Sequence, residues 1–114
     1  MYASIETPGP SVAVCHLQGS LDRDCSDHLR AVMLACAAFS EVQIDLAGVV
    51  FVDFEALGVL VGGVRRARER ATRVTVFGAS KVIARALKAA GFDRVIPLHE
   101  EGPTIVCQPA LIAS

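Results

Sequence analysis

The chain has 114 residues, of which 53% are hydrophobic and 5% aromatic, and its formal net charge is −1. This length accommodates one hydrophobic core but not two, and the high hydrophobic content excludes a disordered chain. A nearly neutral chain with one Tyr and no Trp lacks the positive charge and the stacking surfaces that suit nucleic acid, and it has no general attraction to anionic membranes.

The N-terminal part predicts two paired strands. Ala3–Thr7 is a weak strand candidate, and the Pro-Gly-Pro sequence that follows it at 8–10 is a strong turn signal. Val12–Gln18 is apolar on both alternating faces, as a strand inside a sheet should be. We expect the two strands to pair antiparallel at one side of the sheet, and the second to end at Gly19–Asp22.

A helix is predicted from Arg23 to Ala38, with Asp22 or Asp24 as its N-terminal cap. Its apolar residues recur at helical spacing and form one stripe. The stripe consists of Cys25, Leu29, Val32, Met33 and Cys36. The next apolar run, Val42–Leu46, predicts a buried strand.

Asp53 ends an apolar run and precedes a helical pattern, which is where a helix cap belongs. The predicted helix runs from Phe54 to Arg70, and the arginines of its last turns have the favourable sign for a helix C-terminus. We expect those arginines to be a solvated helix end, with partner binding as the minority alternative. The side chains expected to face inward are Phe54, Leu57, Leu60, Val61 and Val64.

A further strand and helix follow this segment. Val74–Phe77 predicts a strand, and Ser80 is placed to cap a helix. Gly91 is placed as the left-handed residue that ends this helix, with Phe92 as the hydrophobic contact that accompanies such an ending. The predicted apolar stripe of the helix consists of Ile83, Ala86, Leu87 and Ala90.

The last predicted strand is Val95–Leu98, so we assign residues 1–98 to one domain and 99–114 to a C-terminal tail with a possible short segment at Thr104–Cys107. Strands and helices alternate, which predicts an α/β fold. We expect a single domain with a mostly parallel four- to five-stranded sheet, an antiparallel N-terminal strand and three or four helices.

The sequence provides no recognisable catalytic or metal-binding motif. A glycine-rich phosphate loop and a nucleophile elbow are absent, and the four cysteines and three histidines show no metal-ligand spacing. The N-terminal acidic pair of a receiver domain is also missing, since Ala13, Cys15 and Leu17 occupy that strand. We therefore expect no enzyme activity, no cofactor and no metal.

The cysteines are expected to be small buried hydrophobes in a reducing cytoplasm. Cys25 and Cys36 lie eleven residues apart on one predicted helix, or roughly 16 Å, which is too far for a disulfide. A disulfide between Cys15 or Cys107 and another cysteine is left open.

The N-terminus lacks a basic region followed by an apolar core, and no uninterrupted apolar run approaches the roughly 20 residues that cross a bilayer. We therefore expect a cytoplasmic protein without membrane insertion.

Four short motifs occur in one order along the chain: Gly19-Ser20-Leu21-Asp22, Asp45-Leu46, Asp53 and Leu57-Gly58. Together they resemble the signature of STAS domains, the family of sulfate transporters and anti-sigma factor antagonists. The resemblance covers the chain from Val12 through Leu98, and it implies the STAS fold.

In the bacterial antagonists of that family, the aspartate equivalent to Asp53 is followed by Ser-Ser-Gly or Ser-Thr-Gly, and the first hydroxyl is the regulatory phosphorylation site. Here Phe54, Glu55 and Ala56 occupy those positions. We expect no phosphorylation at this site. The protein is then either permanently able to bind, which we favour, or held by Glu55 in a state resembling the phosphorylated one.

The resemblance implies a protein-binding module that binds an anti-sigma factor of the histidine-kinase-like ATPase type and so releases a sigma factor. A homodimer is left open, and a STAS accessory subunit of a transport or lipid-trafficking system is the alternative. Capping, the helix dipole and packing explain several of the site residues equally well. The predicted partner-binding residues are Asp22, Asp53, Phe54, Glu55, Ala56 and Leu57.

Overall fold

The computed structural model describes residues 1–91 and the short strand at Leu98–His99. The described strands, in chain order, are β1 (Tyr2–Gly9), β2 (Val12–Leu21), β3 (Glu41–Val52), β4 (Arg73–Phe77) and β5 (Leu98–His99). They form one sheet in the order β1-β2-β3-β4-β5, in which β1 is antiparallel to β2 and the other pairs are parallel. The predicted α/β fold with an antiparallel N-terminal strand is confirmed.

Three α-helices lie within the described residues and connect the parallel strands. They are α1 (Ser26–Cys36), α2 (Phe54–Glu69) and α3 (Lys81–Ala89), and a 3-10 helix at Arg23–Cys25 precedes α1. None of these helices is long and apolar enough to span a membrane. The expected hydrophobic contact of Phe92, residues 95–97 of the predicted last strand, and the possible segment at Thr104–Cys107 lie outside the described residues.

The strands on either side of α1 are longer than the sequence predicts. The second strand does not end at Gly19, because this residue adopts a left-handed conformation (φ +86°) and the register shifts on either side of it. Such irregularities let pairing continue past a residue that does not fit the ladder. β2 therefore pairs with β3 as far as Leu21 opposite Val52, and β3 runs directly to the residue before Asp53.

The predicted capping of the first helix is wrong. The chain forms one 3-10 turn after Asp22, and α1 begins only at Ser26. Asp22 precedes the 3-10 turn without a capping bond from its side chain, and Asp24 lies inside that turn. Cys25 is the N-cap residue of α1, and its side chain makes no capping bond either.

One hydrophobic core unites the sheet with all three helices. α1 and α2 approach closely at Gly63, where a Cβ atom would lie 2.9 Å from the Cβ of Met33, so a larger residue there would force the helices apart. α3 contributes Ile83 and Leu87, whereas Ala90 is the exposed C-cap and not part of its buried stripe. The large side chains that are almost completely buried are Leu17, Leu21, Leu29, Ile44, Leu46, Leu60 and Leu87.

Candidate functional site

The start of α2 lies directly at the end of β3, and Asp53 fixes the junction. Its Oδ1 accepts a hydrogen bond from the backbone N–H of Ala56 at 2.8 Å, so the predicted cap is confirmed. The backbone N–H of Asp53 donates to the carbonyl of Leu21 at 2.8 Å. This second bond holds the end of β2, and with it the next residue, Asp22, beside the start of α2.

Asp22 stabilises the local fold through its backbone, and its carboxylate makes no capping hydrogen bond. The carbonyl of Asp22 accepts bonds from the N–H of Cys25 at 3.1 Å and from its thiol at 3.0 Å. The structure therefore brings Asp22 and Asp53 to one edge of the sheet, and Asp22 is half-buried there.

Phe54 does not face inward, so the prediction for this side chain is wrong. Its side chain is 89% exposed. The reason is the helical phase: Ala56, Leu57 and Leu60 occupy the buried face of α2, and Phe54 projects from the first turn away from them. Phe54 is thus the most exposed large hydrophobic side chain among the described residues.

Two further apolar side chains are exposed just before this helix. Val50 is 74% exposed and Phe51 is 51% exposed, at the end of β3. We call Val50, Phe51 and Phe54 the apolar group. Val50 and Phe51 are consecutive strand residues and therefore point to opposite faces of the sheet, but all three side chains lie at one end of it, which makes this region a candidate interaction site.

Glu55 is exposed, yet its carboxylate is held in place. Its Oε2 accepts a hydrogen bond at 3.1 Å from the hydroxyl of Ser26, the buried first residue of α1. This bond connects the starts of α1 and α2. The negative charge of Glu55 also lies in the first turn of α2, where the helix dipole favours it.

Ala56 and Leu57, the other predicted partner-binding residues, have buried side chains: Ala56 is 0% exposed and Leu57 is 7% exposed. They belong to the buried face of the first turn of α2, and Ala56 provides the N–H that donates to Asp53. A partner would meet the side chains of Phe54 and Glu55 before either of them.

A second polar cluster, which the sequence did not reveal, crosses the first three strands. The Nδ1 of His16 on β2 lies 2.7 Å from Asp45 Oδ2 on β3, and its Nε2 lies 2.5 Å from Glu6 Oε1 on β1. Ionised carboxylates accept hydrogen bonds but cannot donate them, so both ring nitrogens donate only when the imidazole is protonated. Geometry therefore favours a charged His16.

The pKa of His16 follows from two opposing effects. Burial alone would lower the pKa, but the hydrogen bonds from its ring to Asp45 and Glu6, together with their charges, raise it above the ordinary value of 6.5. The two carboxylates bind opposite sides of the ring, so they do not converge on a common point. Among the described residues no group of three or more His, Cys, Asp or Glu side chains is placed to hold a metal ion.

The cysteines within the described residues are free and buried: Cys15, Cys25 and Cys36. Cys15 on β2 meets Cys36 on α1. A hydrogen bond with the Cys36 thiol, together with burial, raises the pKa of the Cys15 thiol far above its usual range. A buried protonated thiol is a poor nucleophile. The question of a disulfide to Cys107 lies outside the described residues.

Sequence reasoning identified Asp53 but missed the partners of the other polar residues. A cap lies three residues from the group it binds, so its pattern is local, whereas Ser26 and Glu55 are 29 residues apart, as are His16 and Asp45. The only available signal for the exposure of Phe54 was the phase of the apolar stripe, in which Ala56 and Leu57 already complete the buried face.

Comparison with known proteins gives a consistent result. The model of the family described as "Mlab, STAS domain" matches residues 7–99. No curated protein sequence matches significantly. Several solved structures are similar to this chain across most of its length, and because all are less than 25% identical to it, they show the fold alone.

An anti-sigma factor antagonist from Mycobacterium paratuberculosis is 24% identical, with a TM-score of 0.74, and the match covers 98% of this chain and 92% of that one. The anti-sigma factor antagonist SpoIIAA of Bacillus, in its phosphorylated form, is 16% identical, with a TM-score of 0.72 and coverage of 96% and 99%. A sulfate transporter family protein from Wolinella succinogenes is 15% identical, with a TM-score of 0.73 and coverage of 95% and 88%.

Proposed function

The chain belongs to the STAS domain family, and on that premise we propose that it is a non-catalytic protein-binding module similar to an anti-sigma factor antagonist. In this proposal it acts in the bacterial cytoplasm and binds an anti-sigma factor of the histidine-kinase-like ATPase type, which then releases its sigma factor. The binding surface is the start of α2 with Asp22 beside it.

The exposure of Phe54 is the observation that carries the proposal. An aromatic ring that is 89% exposed contributes nothing to the core, and aromatic side chains are the ones that dominate binding energy when a partner buries them. Phe54 begins a rigid helix whose first turn is fixed by Asp53. The ring is therefore presented in a defined position, which lowers the entropic cost of docking.

The same surface supports binding without a phosphorylation switch. Residues 52–60 contain no Ser, Thr or Tyr, so no hydroxyl can accept a phosphoryl group there. Glu55 is bonded to Ser26, and a single carboxylate has less charge than a phosphate. These features favour a protein that is permanently able to bind over one that Glu55 holds in a phosphorylated-like state.

The first experiment is a pull-down from the native host with mass spectrometry, followed by calorimetry with the purified partner. We expect Phe54→Ala to weaken binding at least about tenfold, as truncation of an aromatic anchor does. Val82→Ala is the matched control, because Val82 is also exposed (71%) near the start of a capped helix, α3. Equal affinity of the two variants would reject the start of α2 as the binding surface.

Charge variants test the polar part of this surface. Glu55→Lys and Asp22→Arg should weaken partner binding while the circular dichroism spectrum stays unchanged, since Glu55 is exposed and Asp22, beside Asp53, is only half-buried. If both variants bind with wild-type affinity, the acidic side chains are not part of the interface.

The absence of a switch is tested with the cognate kinase and ATP. We expect no phosphate between Val52 and Leu60 in peptide mass spectrometry, and unchanged partner binding after kinase treatment. Loss of binding through a phosphorylated hydroxyl elsewhere, such as Ser20 or Ser80, would show that the protein is switched after all.

An accessory role in a transport or lipid-trafficking system is the second candidate. It is favoured by the description of the matching family model, "Mlab, STAS domain", and by the similarity to a sulfate transporter family protein. Recovery of a transporter or of its ATPase in the pull-down, with no anti-sigma factor, would select this role.

A further inference from the structure

A shallow groove with a positive rim lies between the C-terminal halves of α1 and α2. Its floor is apolar, and Leu34 beside it is 58% exposed. The floor exists because Gly63 brings the two helices close together at Met33. The lining residues are Arg30, Met33, Leu34, Ala37, Gly63, Arg66 and Arg70.

The arginines of this rim are only partly neutralised. Arg30 pairs with Asp27 at 3.0 Å, and Asp27 is fully exposed. Arg66 and Arg70 form no ion pair with any carboxylate of the described residues. The guanidinium of Arg66 lies along α2, 3.5 Å from where a Cβ atom on Gly62 would be. Within the described part of the chain, the groove thus offers the positive charges of Arg66 and Arg70 beside an apolar floor.

The opposite end of α2 has the complementary properties. Phe54 projects into solvent there, and the exposed carboxylates of Asp24 and Glu55 lie at the same end of the helix layer. Twelve residues separate Phe54 from Arg66, or about 18 Å along the helix. One molecule therefore displays both surfaces at the same time, with space for a different neighbour at each.

We propose that the groove binds the start of α2 of a second copy of this chain. The ring of Phe54 packs on the apolar floor beside Leu34, and the carboxylates near it pair with Arg66 and Arg70. A guanidinium that lies over the ring adds a cation–π contact. The charge of the two surfaces, acidic around Phe54 and basic around the groove, selects this occupant over an apolar or basic one.

Because the two contacting surfaces differ, the association is head-to-tail and extends into short chains of molecules instead of closing as a two-fold dimer. One aromatic anchor with ion pairs at an exposed rim gives a weak contact, in roughly the micromolar to millimolar range. The inference goes beyond the proposed function, and it implies that a protein partner and a second copy compete for Phe54.

Sedimentation velocity of the full chain tests this directly. We expect the weight-average mass to rise with protein concentration up to about 1 mM at low salt, and to fall again when the salt concentration screens the ion pairs. A wild-type protein that stays monomeric over this range overturns the proposal.

Two variants each remove one half of the contact. Phe54→Ala removes the aromatic anchor and keeps the groove intact. The double variant Arg66→Glu with Arg70→Glu removes the positive charge of the groove and keeps the start of α2 intact. Each should be monomeric alone, with an unchanged circular dichroism spectrum, because all three side chains are exposed. An equimolar mixture should form a 1:1 complex and nothing larger, since only one intact interface remains.

The mixture distinguishes head-to-tail contact from other forms of self-association. Concentration-dependent assembly of either variant alone, or a mixture in which both remain monomeric, overturns the proposal. The double variant should still bind the partner of the proposed function with wild-type affinity, so a failure of self-association and a failure of partner binding are recognised separately.

Discussion

The start of α2 and the His16 cluster are both built from charged side chains that bond across neighbouring elements, but their surroundings differ. At the start of α2, Glu55 and Asp53 lie next to the exposed apolar group. Around His16, the carboxylates of Asp45 and Glu6 satisfy both ring nitrogens, and the imidazole is only 25% exposed.

The difference supports the proposal that the start of α2, and not the His16 cluster, is the binding surface. The bonds of His16 are made within the sheet and leave no ring nitrogen for a ligand, so this cluster joins three strands. The bonds of Asp53 and Glu55 instead fix a helix start whose apolar side chains remain in solvent. Substitution of His16 should therefore lower the free energy of unfolding, whereas substitution of the exposed Phe54 should weaken binding.

The largest loss of stability is expected from His16→Ala. It removes two hydrogen bonds between charged groups and leaves Asp45 with only the N–H of Ala47, which should lower the free energy of unfolding by about 1–3 kcal/mol near pH 6. Urea unfolding measures this, with His28→Ala on the exposed side of α1 as the control, for which we expect less than about 0.5 kcal/mol. Equal losses for both would mean that the cluster does not stabilise the sheet.

The contribution of His16 should also depend on pH. Because the folded-state pKa lies above the ordinary 6.5, the contribution is fully present below about pH 6.5 and is lost as the pH rises through the folded-state pKa. The difference in unfolding free energy between wild type and His16→Ala should therefore shrink above neutral pH. A difference that grows with pH would contradict a charged His16.

Asp53→Ala should have a smaller effect, about 1 kcal/mol, because it removes one cap. Ser80→Ala provides the comparison at α3, where the hydroxyl accepts from Ile83 N–H at 3.3 Å, against 2.8 Å for Asp53 and Ala56. We expect the loss at Ser80 to be the lesser one, since Asp53 also places a negative charge at the helix N-terminus. A larger loss of unfolding free energy for Ser80→Ala than for Asp53→Ala, measured by urea unfolding, would contradict this expectation.

The smallest effect on stability is expected at Phe54. Since its side chain is 89% exposed, Phe54→Ala should change the free energy of unfolding by less than about 0.5 kcal/mol while it weakens binding. A loss as large as that of His16→Ala would mean that Phe54 is structural, and the contrast between the two clusters would disappear.

The sequence predicted the order of the elements, the antiparallel first strand and the caps at Asp53 and Ser80, because these follow from local spacing and apolar periodicity. It did not predict that β2 passes through Gly19, since a left-handed residue within a strand is tolerated only when the neighbouring strand shifts register with it. Nor could it predict the bonds of His16 and Glu55, whose partners are brought together only by the completed sheet and helix layer.

The position of β1 at the edge of the sheet has a consequence for the solubility of the protein. β2, which β1 covers, includes the fully buried Ala13 and Cys15. Without β1, a long apolar strand would present a row of unpaired backbone groups, the arrangement that templates edge-to-edge aggregation. β1 is a safer edge: its pairing is irregular between Glu6 and Gly9, and it contains a charged residue and Pro8. We therefore expect residues 2–9 to protect β2 from pairing with other chains, and cleavage after Gly9 should make the protein aggregate.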